Sequence, residues 1–264
     1  MSANIIWLEL VASVITVATF ILAGIFDWRW REIPPALWIA PIIFGIFVNV
    51  LHHFSHYGNC VDALCKYVFQ FQLFQLILSL ILLCVVGILV FAIKILGGAD
   101  FLAVASFTAV YPFNRLSIST YLKSNTLLQV FFFLPPILWI FIMYSIIMIF
   151  LMLFNLLSNL KFYREIASLE VPLLSKILYV LFCKFMYVKE YRKKRFYYPV
   201  YVQSIVNRIS FSIYEDDEEW KKKLSNVSDD SVIVVSWGIP MITFMSLAIT
   251  IYIALYIVIL IVLQ

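Results

Sequence analysis

Residues 5–35 read IIWLELVASVITVATFILAGIFDWRWREIPP, and the first part of that stretch decides what kind of protein this is. From 5 to 26 the only charged side chain is Glu9. A run of that length matches the roughly 20 residues a helix needs to cross the hydrocarbon core of a bilayer. It is too long for the apolar region of a cleavable signal peptide, and no Lys or Arg precedes it. The run is therefore expected to remain as a membrane helix. Arg29 and Arg31 anchor its end at a membrane surface.

The rest of the chain repeats the pattern. Of its 264 residues, 64% are hydrophobic and 13% charged, whereas a soluble domain is about half apolar and about a quarter charged. Further apolar runs cover residues 34–51, 67–93, 100–118, 127–157 and 237–263. Proline at the head of the second is tolerated because first-turn N–H groups lack intrahelical partners. The fold class expected is all-α, a polytopic membrane protein with about six transmembrane helices.

Charge is segregated. Between Lys161 and Lys223 lie 13 of the 19 basic residues, and between Glu165 and Asp230 lie 10 of the 15 acidic ones. This defines a polar insertion, and the expected organisation is a membrane domain (1–157), an insertion (158–236) and a sixth transmembrane helix (237–264). With the N-terminus outside, 16 of 19 basic residues fall on the cytoplasmic side, as the positive-inside rule requires. The insertion is then cytoplasmic, as a subdomain or a long loop. Its residues 171–188 read as an amphipathic helix lying in the membrane interface. Its basic residues suit anionic lipid, and no nucleic-acid partner is expected.

Ionisable residues at or inside a bilayer carry the most functional information, because they are costly to place there. Asp27 closes the first run and Asp100 opens the fourth, in Leu96-Gly97-Gly98-Ala99-Asp100-Phe101. In the orientation above, both lie at the cytoplasmic edge. Two carboxyl groups held close together share one proton. The ionised member can then activate a water while the protonated one polarises a peptide carbonyl. Gly97 and Gly98 permit extended or left-handed backbone and close approach of a substrate strand. The plainer reading of either aspartate is a helix cap or an interfacial residue.

Asp27 with Arg31, Ile33 and Pro34, followed by Gly97-Gly98-Ala99-Asp100, resembles the archaeal preflagellin peptidase and type IV prepilin peptidase family, membrane aspartyl peptidases of the GxGD type. The six spans, the polar insertion before the last, and Ser236-Trp237-Gly238-Ile239-Pro240 opening that last helix extend the likeness over most of the chain. The resemblance implies that Asp27 and Asp100 are catalytic and that no metal or organic cofactor is needed. It implies removal of short basic leaders from preflagellin- or prepilin-like proteins at the cytoplasmic face of the cell membrane. Such partners carry a hydrophobic helix that lies in lipid beside the enzyme. Ala99 stands where the family usually has glycine, and Leu102 where it often has lysine. No Cys-x-x-Cys precedes Asp27, so the N-methylation of the bacterial branch is not expected.

Two other functions fit the same aspartates. A small transporter would use the two aspartates as a proton or cation relay, though coupling residues there lie near the bilayer midplane. A catalytically silent relative would only bind pilin-like helices. Cys60 and Cys65 share one loop and are placed for either a disulfide or free thiols, while Cys84 and Cys183 read as membrane-embedded and structural. His52, His53 and His56 read as a polar helix cap before a metal site. Glu9 and Asp62 belong to the outer side, away from the aspartate pair. The acidic run Glu215, Asp216, Asp217, Glu218, Glu219 reads as a solvated loop before a docking site for a basic leader.

Overall fold

A computed structural model describes residues 3–57, 63–93, 97–115, 132–203, 205–208 and 215–262. The chain divides into two units, Met1–Ser145 with Pro240–Gln264, and Ile146–Ile239.

The first unit is helical. Helix α1 runs Ala3–Trp30, and after a 3-10 turn at Pro35–Trp38 come α2 (Ile39–Tyr57), α3 (Ala63–Phe91) and α4 (Gly98–Val110). Helix α5 (Pro136–Asn159) begins here and passes into the second unit after Ser145. Among the described residues, five helical segments are long and apolar enough to cross a membrane: Trp7–Trp30, Pro35–Phe54, Cys65–Phe91, Pro136–Ser168 and Met241–Ile259. A mostly helical, membrane-embedded protein is therefore what the chain folds into.

Two expected boundaries move in these helices. The fourth run is expected to reach 118, but α4 stops at Val110 after 13 residues. Pro112 is the cause: it has no N–H to donate and disfavours helical backbone at Tyr111, which sits at φ −123° and ψ 66°. At 1.5 Å per residue α4 is roughly 20 Å long, shorter than a hydrocarbon core of about 30 Å. Likewise α5 starts at Pro136 rather than 127, because Pro135 interrupts helical backbone just before it. Residues 116–118 of the expected fourth run, and 127–131 of the fifth, lie outside the described residues.

Short as it is, α4 packs against α1, α2 and α3 and the last helix, α10 (Met241–Val262). Its Ala103, Val104, Ser106 and Phe107 are buried. The tightest approach is to α2, where a Cβ on Gly45 would lie 2.7 Å from the carbonyl oxygen of Ala109 and the Cα of Val110. Small residues let membrane helices come this near. Gly45→Ala is accordingly expected to force α2 and α4 apart, at roughly the 1–3 kcal/mol of core overpacking, read as a lower thermal midpoint in detergent.

Where α4 ends early, its carbonyls and those before α5 would face lipid without partners, which is costly. Polar side chains from neighbouring helices meet them. Asn49 Nδ2 donates to Ala109 O (2.8 Å), Ser79 Oγ to Pro112 O (2.8 Å) and Gln72 Nε2 to Asn114 O (3.0 Å). Gln75 Nε2 and Asn114 Nδ2 both donate to Phe132 O, at 2.7 and 3.0 Å. Arg115 donates through Nη2 to Val110 O and through Nη1 to both oxygens of Glu9, at 2.8 and 2.9 Å. Glu9 and Arg115 are both buried, at 2% and 1% exposure. An ion pair inside the bundle was not anticipated from either residue alone.

The second unit is not a loop. It holds α6 (Tyr163–Ser168), α7 (Leu173–Phe182), β1 (Lys184–Tyr187), α8 (Val188–Tyr191), β2 (Tyr197–Val202), β3 (Val206–Asn207), α9 (Asp217–Lys223) and β4 (Val232–Trp237). The strands form one antiparallel sheet in the order β1-β4-β2-β3. This strand content departs from an all-α chain. The amphipathic helix read over 171–188 is shorter, because Cys183 turns extended and 184–187 pair with β4. Ser236 and Trp237 end β4 instead of opening the last helix, which starts at Met241 after Pro240.

Two clusters form this unit's core, one around Met186, Tyr191 and Leu224, the other around Phe162, Tyr179 and Phe185. Cys183 belongs to the second, so it is a buried core residue of this unit, its thiol pushed up to about 12 by burial. Cys84 is free and exposed on α3, and Cys65 is disulfide-bonded; Cys60 lies outside the described residues.

Candidate active site

Asp27 sits in the last turn of α1, and Asp100 in the first turn of α4. Both are buried, at 8% and 9% exposure. The two carboxyl groups are close enough that the charge of Asp27 acts on Asp100. The helices that carry them pack against each other.

Each carboxylate also has local work. Asp27 Oδ2 accepts from the backbone N–H of Thr243 (3.1 Å) and faces its hydroxyl at 3.5 Å, while Thr243 Oγ1 donates to Gly24 O at 2.8 Å. Thr243 is the third residue of α10, whose preceding residue is Pro240 and has no capping side chain. Asp27 thus caps α10 from another helix, satisfying a first-turn N–H that would otherwise lack a partner. Its Oδ1 lies 3.8 Å from Arg31 Nη1, a long ion pair one helical turn on. Arg31 itself has φ 60°, ending α1 in a left-handed residue.

Asp100 Oδ2 accepts from Gly97 N at 2.9 Å, the return bond of a capping box at the start of α4. Among the described residues its Oδ1 has no hydrogen-bond partner. Gly97 is extended (φ −81°, ψ 157°), and neither glycine of the motif uses the left-handed region. A Cβ at Gly97 would sit 3.3 Å from Asp100 Oδ2, whereas one at Gly98 would meet nothing within 4 Å. Ala99 and Leu102 are half-buried on the first turns of α4. The plainer reading, that each aspartate caps a helix, is thus also realised, alongside their proximity.

Two further groups were missed in the sequence. Thr243 orients Asp27. Tyr144 on α5 is half-buried and close enough to feel both carboxylates. Neither carries a local signal, since a lone Thr or Tyr in an apolar helix is ordinary.

The other candidates lie elsewhere. His52 is buried with its ring near Phe113, and His53 lies between Phe54 and Phe69. They border a cavity of about 490 Å³ between α2, α3 and α4, near the end of α4 remote from Asp100. The His56 side chain and Asp62 lie outside the described residues. Glu9 is 18 positions before Asp27 on α1, roughly 27 Å along a helix. It stands apart from the pair, as expected.

The acidic run is built into structure. Asp216 caps α9 through Glu218 N (2.9 Å), and Glu215 accepts from Arg208 (2.5 and 2.6 Å) and Trp220 Nε1 (2.7 Å). Asp217 pairs with Lys221 at 2.9 Å. These contacts leave it less free for a basic leader than an open loop would be.

No protein-family model and no curated protein matches this chain.

Proposed function

We propose that this protein is a membrane aspartyl endopeptidase that removes short basic leaders from preflagellin- or prepilin-like proteins. The observation that carries the reading is the burial of both carboxyls, Asp27 at the end of one helix and Asp100 at the start of another packed against it, with the charge of Asp27 felt at Asp100. Together with the Gly97-Gly98-Ala99-Asp100 motif, this supports the resemblance noted in the sequence.

In this reading one carboxylate takes a proton from a water, and the other acid donates to the carbonyl oxygen of the scissile peptide. The Oδ1 of Asp100, without a hydrogen-bond partner among the described residues, is the atom offered to that water. On collapse of the gem-diol the proton taken from the water passes to the leaving amine, and a diol hydroxyl returns its proton to the other carboxylate as the carbonyl reforms, so the two groups end as they began. Thr243 and Gly97 hold one oxygen of each carboxyl in place. The open space at Gly98 supports the approach of a substrate strand. Six spans, an outside N-terminus and a cytoplasmic second unit belong to this proposal. They set the pair at the inner edge of the bilayer, where a solvated leader is cut without unwinding a helix in lipid.

Co-expression with a tagged prepilin tests it. The expected result is a mobility shift equal to leader loss, with the new N-terminus at the start of the hydrophobic segment. An intact leader in the presence of folded enzyme would overturn the reading. The glycine supplies a second check. Gly98→Leu is expected to keep the thermal midpoint, since a side chain there meets open space, while lowering processing roughly 10–100-fold by displacing the substrate from attack geometry.

A further inference from the structure

Helix α7 turns an apolar side outward. Its sequence is LLSKILYVLF. One side enters the core of the second unit through Tyr179 (1% exposed), with Val180 packed against the same cluster. The opposite side is bare: Leu173, Leu174, Ile177 and Phe182 are 74%, 68%, 46% and 55% exposed. Leu174, Ile177, Leu178 and Leu181 recur at the spacing of a single helical face. A contiguous apolar face of this kind marks contact with a partner or with lipid.

What covers it follows from where α7 is tied. Asn159, the last residue of α5, is fully buried. Its Nδ2 donates to Val180 O (3.0 Å) and Cys183 O (2.8 Å), and its Oδ1 accepts from Phe185 N (3.0 Å). These bonds use carbonyls that the last turn of a helix leaves without partners. They also clamp the end of α7 to the end of a helix apolar enough to cross a membrane. Near the other end, Lys176 Nζ donates to Ala167 O at 2.9 Å. The exposed face is therefore tied to the end of that helix. Leu157, Leu160 and Tyr163, near the same end, are likewise exposed, at 67%, 57% and 61%. Lys161 and Arg164 stand among them, their cations over the rings of Phe162 and Tyr163, as basic side chains do at a headgroup boundary.

We propose that α7 lies in the membrane–water interface, its Leu173, Leu174, Ile177 and Phe182 side buried at the headgroup–acyl boundary, so that bilayer lipid is its partner. Interfacial helices bury an apolar face to this depth. The contact would hold the sheet of the second unit against one membrane surface. It depends on the membrane character of the chain and is independent of the peptidase proposal.

The test places a photoreactive benzoylphenylalanine at Leu174, at Ile177 and, as control, at the exposed Lys222 of α9. The full chain is reconstituted in vesicles of phosphatidylethanolamine and phosphatidylglycerol, irradiated and analysed by mass spectrometry. Phospholipid adducts at 174 and 177 are expected, at least about tenfold above Lys222, as a face sunk in the interface requires. Adducts to a peptide of the same chain or of a second copy would overturn the proposal. So would lipid labelling no greater than at Lys222. Both tested positions are exposed, so the bulky probe does not disturb the core.

Discussion

Asp27→Asn and Asp100→Asn are each expected to abolish leader removal, by at least about 10³-fold, while the protein stays folded. General acid–base groups contribute on the order of 10²–10⁴-fold each, and a pair that works as a unit fails when either member is lost. Asparagine keeps the size of the side chain and its carbonyl oxygen. It can still accept from Thr243 N in the one case and Gly97 N in the other. Stability should therefore fall little, which separates lost chemistry from lost structure. The measurement is a time course of leader cleavage in proteoliposomes beside a thermal melt of each variant. The pH profile of the intact enzyme should be bell-shaped, its two limbs belonging to the pair. Full cleavage by either variant would leave the aspartates as helix caps alone. Binding of the prepilin without cleavage by the unaltered protein would identify a silent relative. A chain that neither cleaves nor binds it would return the transporter to first place.

Glu9→Gln is expected to destabilise the protein more than any substitution at the aspartate pair. The change leaves Arg115 buried with its charge unanswered, and breaking a buried pair from one side costs about 3–5 kcal/mol. At roughly 2–4 °C per kcal/mol for a chain of this size, the melting midpoint should drop by on the order of 10 °C. Arg115→Leu should cost at least as much, because Val110 O and Asn49 Oδ1 lose a donor as well. Combining Glu9→Leu with Arg115→Leu should recover part of the loss, since no lone charge remains. Additive losses in the double variant would contradict the ion pair. Cleavage by the surviving folded fraction should be unchanged in all three, because the pair sits at the far end of α1 from Asp27.

The two predictions address residues that differ in how plainly they stand in the sequence. Asp27 and Asp100 interrupt or border long apolar runs, so each is visible by contrast, and the glycines beside Asp100 mark a special backbone. Glu9 is equally visible, yet its meaning depends on Arg115, 106 positions later. The need for that arginine arises only because α4 stops at Val110. Pro112 could have been read as that stop, but an apolar run continuing to 118 masked it. In the second unit, β1 and β4 are mostly apolar stretches of four and six residues, β1 opening on Lys184 and β4 including Ser236. Runs that short cannot be told from helix by periodicity. Lys184–Tyr187 was thus absorbed into a neighbouring helix, and Ser236-Trp237 into the last one.

Membrane residence and helical class were legible one segment at a time, because they follow from apolar length, a property each segment carries alone. The segregation of charge into the polar insertion was legible for the same reason. The early end of α4, the carbonyls it exposes, the Glu9–Arg115 answer to them and the Asn159 clamp on α7 came from contacts between distant segments. Hydrogen-bond satisfaction in a low-dielectric interior is a condition on pairs of groups, and single-residue patterns do not record who the partner is.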